Sequence, residues 1–178
     1  MKFPYLDKLP VTSEKEREEF KKKLIQVSAD LGISPDWLLL VMWMESRMKP
    51  TAVNRLSNAT GLIQFMPATA KWLGSSVTEI KSMSAVEQLD LVRRYYWSYK
   101  TVLNGFVDLY VATFYPKALL QKWDDSRLFP KAVYSQNMAI DTNGDKMISL
   151  GEFKALMLSR VPKGIELNSL KKKAPLVS

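Results

Sequence analysis

WLLLVMWMES, residues 37–46, is the stretch that decides the fold, because it contains the longest continuous apolar run of the chain. Ser34 and Pro35 precede it as a helix cap and a proline at the first helical position. Residues 37–44 are apolar on every side, and Pro50 ends the helix. A helix of this kind belongs in the middle of a core. The apolar run is also far shorter than the roughly 20 residues that a bilayer requires, so we expect no membrane span.

Helix signals recur on both sides of this stretch. Capping-box pairs occur at Ser13 with Glu16 and at Ser84 with Glu87, each followed by apolar residues at helical spacing. No segment shows the alternation that is typical of a β-strand. The sequence therefore predicts an all-α fold. The expected helices lie near residues 13–32, 35–48, 67–74, 84–105, 106–115, 129–139 and 152–160, with a loop over residues 51–66.

The composition restricts the chemistry that this chain can perform. Its 178 residues suffice for one compact core or for a main domain with a small appendage. It has neither cysteine nor histidine, which excludes disulfides, thiolate zinc sites and Ser-His-Asp or Cys-His catalysis. Acid–base chemistry must come from Asp, Glu, Lys or Tyr. The net charge of +8 favours a polyanionic partner, namely nucleic acid, an anionic membrane surface or the bacterial cell wall, without choosing among them.

Glu45 is the acid that stands out, since it follows the most apolar run of the chain. Apolar residues also lie one helical turn before it and one turn after it. Loss of hydration should raise the pKa of a carboxyl group in this setting, and the negative end of the helix dipole acts in the same direction. We therefore expect Glu45 to serve as a general acid near neutral pH. The alternative is a side chain that turns to solvent or pairs with Arg47 or Arg55.

GLIQFMPATA, residues 61–70, follows the acid after one short loop. It combines a glycine-bearing turn, an amide at Gln64 and a proline-initiated helix. Together with Glu45-Ser46, this segment resembles the first two motifs of the soluble lytic transglycosylase (SLT) domain. All specified residues of the second motif, Gly-Leu-x-Gln-x-x-Pro-x-Thr-Ala, match in order. The resemblance covers residues 31–74 well, and it implies a lysozyme-like helical domain with Glu45 as the catalytic acid.

The third motif of that family, Ala-Tyr-Asn-Ala-Gly, is altered in this chain. Its expected place is YVATFYPKAL, residues 110–119, where Ala112 fits but Asn-Ala-Gly is replaced. The motif tyrosine falls on Tyr115, or its place is taken by Phe114, and the plain alternative for both is core packing. By resemblance, Ser46 and Gln64 position the acid and the N-acetyl group of the substrate. The implied set of substrate-binding residues is Ser46, Gln64, Phe65, Met66 and Tyr115.

The resemblance implies cleavage of peptidoglycan glycan strands by a single acid, without a metal in the chemistry. Glu45 would protonate the oxygen between N-acetylmuramic acid and N-acetylglucosamine, and a 1,6-anhydro product would form. A hydrolytic goose-type lysozyme is the close competitor. It would need a second carboxylate, for which Asp90 and Asp108 are candidates by residue type alone.

Two further classes of protein stay open. One is a non-catalytic wall-binding or virion-structural relative, which the altered third motif allows. The other is a nucleic-acid-binding protein, which the charge and the many aromatic residues favour. No recognised nucleic-acid motif supports the latter, so we expect no nucleic-acid partner.

A twelve-residue EF-hand-like pattern, DTNGDKMISLGE, occupies residues 141–152. Lys146 stands at the sixth position, where this loop normally has glycine because the turn requires a positive φ. A residue with a side chain costs on the order of 1 kcal/mol there. We expect this loop to bind a Ca²⁺ ion that is structural and not catalytic. Some SLT-type transglycosylases also carry an EF-hand. The alternative is an Asp-rich helix cap without a metal. The ligand positions fall on Asp141, Asn143, Asp145, the Met147 carbonyl, Ser149 and Glu152.

These patterns divide the chain into three parts. Residues 1–123 are predicted to form the lysozyme-like transglycosylase domain, residues 124–162 an EF-hand-like helix–loop–helix packed on it, and residues 163–178 a basic tail. The N-terminal residues lack the continuous apolar run of a secretory leader. Action at the bacterial cell wall, in the periplasm or outside the cell, would then need another route of delivery, for example as part of a phage particle, or a leader that the given sequence does not include.

Overall fold

The computed structural model describes residues 1–11 and 13–167, where the chain forms helices joined by turns, with isolated β-bridges and no strand. The expected all-α class is confirmed. The predicted basic tail lies outside the described residues from residue 168 onward. The α-helices are α1 (Glu14–Leu31), α2 (Pro35–Ser46), α3 (Pro67–Trp72), α4 (Val77–Ser82), α5 (Ala85–Trp97), α6 (Phe106–Phe114), α7 (Pro116–Leu120), α8 (Lys131–Gln136) and α9 (Leu150–Ser159), and two 3₁₀ turns span Leu6–Lys8 and Met138–Ile140.

Several helix ends differ from the sequence-based expectation, and α8 (Lys131–Gln136) is shorter at both ends than the predicted 129–139. Helix α2 stops at Ser46 because Arg47 and Met48 both adopt left-handed backbone angles, with φ of 55° and 64°. Helix α5 stops at Trp97, well before Gly105, because the next residues form turns. In these turns the Val102 N–H donates to the Tyr99 carbonyl, which is the spacing of a 3₁₀ turn. Helices α4 and α7 were not predicted.

The described residues divide into two compact units, Met1–Phe106 with residue 167 and Val107–Glu166. The domain boundary predicted at residue 123 stays a prediction. In the first unit, α2 is the central helix, and its residues from Trp37 to Met42 are buried. Helix α1 packs against both α2 and α5. Among the described parts of the chain, no single helix is long and apolar enough to cross a membrane, and α1 with α2 passes such a test only as a pair bent by 111°.

Polar contacts fix the register of α1 against α5. Lys23 and Asp90 form an ion pair of 2.6 Å, and Asp30 with Arg93 forms a second of the same length. Both pairs are partly exposed, so their contribution to stability is modest. They orient two helices whose buried faces already fit, with apolar side chains such as Leu24 of α1 and Leu89 of α5 in the core.

The N-terminal segment lies along α2. The backbone N–H groups of Lys2 and Phe3 donate to the Asp36 carboxylate in the first turn of α2, at 2.8–3.1 Å. The Tyr5 ring stacks on Trp43, with ring centroids 4.3 Å apart and planes 6° apart. These contacts hold α2 near both of its ends.

The second unit has a core of aromatic rings. Phe114 stacks on Phe153 at a centroid distance of 4.4 Å, and Phe129 packs edge-on against Phe114. A capping box at Ser149 and Glu152 begins α9. A bridge between Leu128 and Ser149 and the buried Ile148 connect the loop before α9 to this core.

Candidate active site

Glu45 lies in the last turn of α2, with a half-buried side chain. The helix ends directly after it, as the Arg47 N–H donates to the Trp43 carbonyl and the Met48 N–H to the Met42 carbonyl. The two left-handed residues that follow turn the chain away from the helix axis. The carboxyl group therefore lies at the rim of the core, where it is only partly buried.

Tyr95 of α5 is close to this carboxyl group. Burial raises the pKa of the Tyr95 phenol far above its ordinary value, and the neighbouring Tyr96, Tyr99 and Glu45 add to the effect. The phenol consequently stays neutral in the working pH range. Phe65 packs edge-on against the Tyr95 ring at a centroid distance of 6.3 Å. Residues of α2, α5 and the 61–70 segment thus meet around Glu45.

Ser46 joins the end of α2 to the segment that resembles the second SLT motif. Its buried hydroxyl shares one proton between the Met42 carbonyl, at 3.0 Å, and the Leu62 carbonyl, at 2.9 Å. The first bond is the common hydrogen bond from a serine hydroxyl to the carbonyl four residues earlier in the same helix. The second spans two elements, so Ser46 fixes the distance between the Glu45 backbone and residues 61–70.

The loop before α3 is a tight turn. Thr60 and Phe65 exchange two backbone hydrogen bonds of 3.0 and 2.8 Å. Gly61 and Gln64, inside this turn, have φ of +86° and +55°. The Gln64 side-chain amide donates to the carbonyls of Ala52 and Gly61 at 3.3 and 3.1 Å, so it holds the loop together.

The other predicted substrate-binding residues occupy different environments. Phe65 is only 2% exposed, so it supports the site from beneath, whereas Met66 is 47% exposed at the start of α3. Tyr115 belongs to the second unit, where its ring contacts Trp123 and Phe129 at centroid distances of 5.4 and 5.2 Å. A role for these three side chains in substrate binding stays a prediction.

Gln88 of α5 is a buried polar residue that the sequence reasoning did not identify. It is 0% exposed, and its Oε1 accepts a hydrogen bond of 2.8 Å from the Leu62 N–H. Its Nε2 donates to the carbonyls of Pro50 and Ile80 at 2.7 and 2.9 Å. The sequence did contain an indication that Gln88 is buried, because this residue falls on the apolar face of α5, beside Leu89.

Some charged residues near the site in sequence have their own contacts. The Arg47 guanidinium lies over the Trp43 ring, 4.8 Å from its centroid. Asp90, one of the candidates for a second carboxylate, is the partner of Lys23. Asp108 lies on α6, in the second unit.

The loop of residues 141–152 has the turns that its sequence pattern implies. The two carboxylate oxygens of Asp141 accept from the N–H groups of Gly144 and Lys146 at 2.7 and 2.9 Å. Lys146 has φ of 64°, the left-handed angle expected at this position. Glu152 closes the loop, since its Oε1 accepts from the Thr142 N–H at 3.1 Å.

The donor atoms of this loop fit a hard cation. Side-chain oxygens of Asp141, Asn143, Asp145, Ser149 and Glu152, with the Met147 carbonyl, are all oxygen ligands of the kind that Ca²⁺ takes. Hydrogen bonds from Ser149 and Thr142 lower the pKa of Glu152, so its carboxylate is charged at neutral pH. In the described residues no group of three or more acidic side chains is already gathered as a metal site.

Comparison with known proteins supports the SLT resemblance over part of the chain. Residues 23–90 match the model of the transglycosylase SLT domain. Over 57 residues the chain is 47% identical to the peptidoglycan transglycosylase gp16 of Escherichia phage T7. That alignment covers 32% of this chain and 4% of the phage protein. The SLT-like segment is thereby confirmed, with Glu45, Ser46 and residues 61–70 inside it, while Tyr115 and the 141–152 loop lie beyond the family match.

Proposed function

We propose that this chain is a peptidoglycan lytic transglycosylase with Glu45 as its single catalytic acid. The observation that carries the proposal is the junction of α2 with residues 61–70. Glu45 ends a buried helix, and the adjacent Ser46 binds the Leu62 carbonyl of the loop that contains Gln64. These residues lie in the stretch that matches the SLT family model.

The reaction uses one carboxyl group twice. Glu45 protonates the oxygen of the β-1,4 bond between N-acetylmuramic acid and N-acetylglucosamine, and that bond breaks. The carbonyl of the substrate's own N-acetyl group stabilises the oxocarbenium-like centre, as in other substrate-assisted glycosidases. The Glu45 carboxylate then takes the proton of the muramic C6 hydroxyl, whose oxygen attacks the anomeric carbon. The ring closes as a 1,6-anhydro sugar, and no water is consumed.

Mass spectrometry of muropeptides released from purified sacculi tests this proposal. We expect anhydro-muropeptides from the wild-type protein, and Glu45→Gln should lower their yield by at least about 100-fold, since general acid catalysis contributes roughly 10²–10⁴. Glu19→Gln, at an exposed position of α1, is the matched control and should keep wild-type activity. Reducing ends instead of anhydro ends would mean a hydrolytic lysozyme. Equal yields from wild type and Glu45→Gln would remove Glu45 from the mechanism.

Peptidoglycan strands are the proposed substrate, and the bacterial cell wall is the proposed place of action. An SLT-like segment that cuts these strands works in the periplasm or outside the cell. The T7 relative is a phage protein named a peptidoglycan transglycosylase, which supports delivery with a phage particle. Zymography on peptidoglycan separates this proposal from a wall-binding relative without activity, which would leave no cleared band.

We also propose that the 141–152 loop binds one structural Ca²⁺ ion. Asp141, Asn143, Asp145, Ser149 and Glu152 would hold it through side-chain oxygens and Met147 through its carbonyl. Support comes from the left-handed angle of Lys146 and from the carboxylate of Glu152, which already lies over the start of the loop. The ion would stabilise the helix–loop–helix and take no part in glycan cleavage.

A further inference from the structure

We propose that Gln88 is a positioning residue for the Glu45 acid and acts on it through Leu62 and Ser46. This inference rests on the proposed function, because it assigns a role within the same site. Gln88 lies on α5, whereas Glu45 and Ser46 end α2, and residues 61–70 lie between them in sequence. Because these parts are separate in sequence, hydrogen bonds of their side chains and backbone groups have to connect them.

The connection passes through Leu62, whose backbone N–H and backbone carbonyl each make one hydrogen bond. The Leu62 N–H donates to Gln88 Oε1 at 2.8 Å, and the Leu62 carbonyl accepts from Ser46 Oγ at 2.9 Å. Leu62 itself is fully buried. Because neither hydrogen bond is reached by solvent, water cannot replace either partner. The position of Leu62 is fixed from two sides, and Ser46 is the residue bonded to Glu45.

The second half of the Gln88 amide fixes the segment that leaves the acid. Its Nε2 donates to the Pro50 carbonyl at 2.7 Å and to the Ile80 carbonyl at 2.9 Å. Pro50 follows the turn that ends α2, so Gln88 holds the chain soon after Glu45 as well as the loop that contains Gln64. An amide is required here, because only Asn and Gln offer both an acceptor and two donors in a neutral group.

The loop is shaped to admit this side chain. A Cβ atom at Gly61 would lie 2.6 Å from Gln88 Oε1 and 2.8 Å from the Ile80 side chain. Glycine at position 61 thus leaves room for the Gln88 amide in addition to allowing the positive φ. The glycine of the matched motif and the glutamine of α5 act as one unit.

Kinetics of Gln88→Met test the inference, because methionine has a similar volume and no amide. We expect kcat to fall about tenfold to a hundredfold, with KM changed less than about threefold, since the glycan still meets the same surface. Leu24→Ala, in the buried face of α1, supplies the control for lost stability and should keep the wild-type kcat while it is folded. A Gln88→Met enzyme with the kcat of Leu24→Ala would overturn the inference.

Gln88→Glu gives a conservative rescue. A protonated carboxyl group keeps one donor and one acceptor, whereas an ionised one faces the Pro50 and Ile80 carbonyls without a proton. Burial should raise the pKa of the introduced carboxyl group. We expect the kcat of this variant, divided by that of wild type at the same pH, to rise as the pH falls from about 7 to about 5. A ratio that is independent of pH would contradict a role through these hydrogen bonds.

The side-chain carboxyl ¹³C resonance of Glu45, measured by NMR, separates this inference from the proposed function. In Gln88→Met we expect that resonance to shift and the Leu62 amide to exchange faster, while Leu24→Ala leaves the resonance in place. If wild-type protein releases no muropeptides, the proposed function fails, and the NMR comparison still decides whether Gln88 positions Glu45. An unshifted Glu45 resonance in Gln88→Met would overturn the inference whatever the activity.

Discussion

Glycine residues in the first unit differ in whether the space around them could hold a side chain. Gly61 and Gly32 both have positive φ, of +86° and +71°, but their surroundings are opposite. A Cβ at Gly61 would meet Gln88 and Ile80 within 3 Å, whereas a Cβ at Gly32 would meet nothing within 4 Å. The two glycines therefore separate the cost of backbone conformation from the cost of lost space.

Gly61→Ala should destabilise the protein much more than Gly32→Ala. Both substitutions force a side chain into the left-handed region, at about 1–2 kcal/mol. Gly61→Ala adds overpacking of about 1–3 kcal/mol, because the Gln88 amide has to leave its carbonyl partners or the loop has to move. Urea unfolding of both variants gives the comparison. Equal free energies of unfolding would show that the loop yields to the methyl group and that the fit around Gln88 is loose.

At this scale the sequence singled out Glu45 as the candidate acid but did not indicate a role for Gln88. Glu45 could be predicted because it ends a continuous apolar run, and Gln64 because it stands in a recognisable motif. Gln88 was missed since its partners are backbone groups of Pro50, Leu62 and Ile80. A side chain that binds distant backbone leaves no pairing pattern in a single sequence.

Whole helices followed the sequence where caps define them. The predicted capping box at Ser84 and Glu87 begins α5, and the predicted cap Ser13 begins α1 by accepting a hydrogen bond from the Glu16 N–H. The end of α5 was predicted too late, because the apolar spacing continues through Tyr99 although the backbone has turned to i→i+3 bonds. A helix cap depends on hydrogen bonds between residues that are close in sequence, so a sequence pattern can predict it. A turn like the one after α5 depends on tertiary packing, which the pattern does not show.

Glu87 should give α5 a measurable acid sensitivity. Hydrogen bonds from the Ser84 backbone N–H and hydroxyl hold the pKa of Glu87 below its ordinary value of 4.5. A lowered pKa means that the folded state binds protons less readily than the unfolded one. The stabilisation is therefore complete above the unfolded pKa and is lost as the pH falls through the lowered value. We expect the Tm of Glu87→Gln to fall less than that of wild type between about pH 6 and pH 3.

The control for this measurement is Glu19→Gln, at an exposed position of α1 outside any capping box. It should follow the wild-type curve, because no helix terminus depends on its charge. Parallel Tm curves for wild type and Glu87→Gln would show that the capping box does not persist in solution.

The proposed Ca²⁺ site in the 141–152 loop provides a prediction about the start of α9. Lys146→Gly should raise the Tm in EDTA, since it removes a left-handed side chain that costs about 1 kcal/mol. It should also strengthen Ca²⁺ binding, because the lysine charge no longer opposes the cation. Calorimetry with and without about 5 mM Ca²⁺ measures both effects, as ligand binding to the folded state raises Tm. Glu152→Gln should lose the response to Ca²⁺, and a wild type and Lys146→Gly that both ignore Ca²⁺ would contradict the metal site.

At the scale of the molecule, the sequence predicted the all-α fold class, whereas its division of the chain at residue 123 stays a prediction. Hydrophobic periodicity and caps indicate helices, and the absence of histidine and cysteine restricted the acid–base residues to Asp, Glu, Lys and Tyr. The change from the first to the second compact unit falls at Phe106, at the start of an apolar helix. Such a boundary carries no glycine-rich or proline-rich linker, so composition alone could not indicate it.

Net charge belongs to the whole molecule, and it predicts how the chain reaches its substrate. With a charge of +8, attraction to the anionic cell wall should accelerate encounter at low salt and fade as the screening length falls from about 10 Å at 0.1 M to about 3 Å at 1 M. We expect binding to intact sacculi, measured by co-sedimentation, to weaken at least about tenfold over that range. Binding of a neutral N-acetylglucosamine oligomer, followed by tryptophan fluorescence, is the control and should hardly change, because long-range electrostatic attraction does not act on an uncharged oligomer. If both affinities fall by the same factor, salt weakens binding at the site itself. That result would contradict a long-range attraction between the positive charge and the wall.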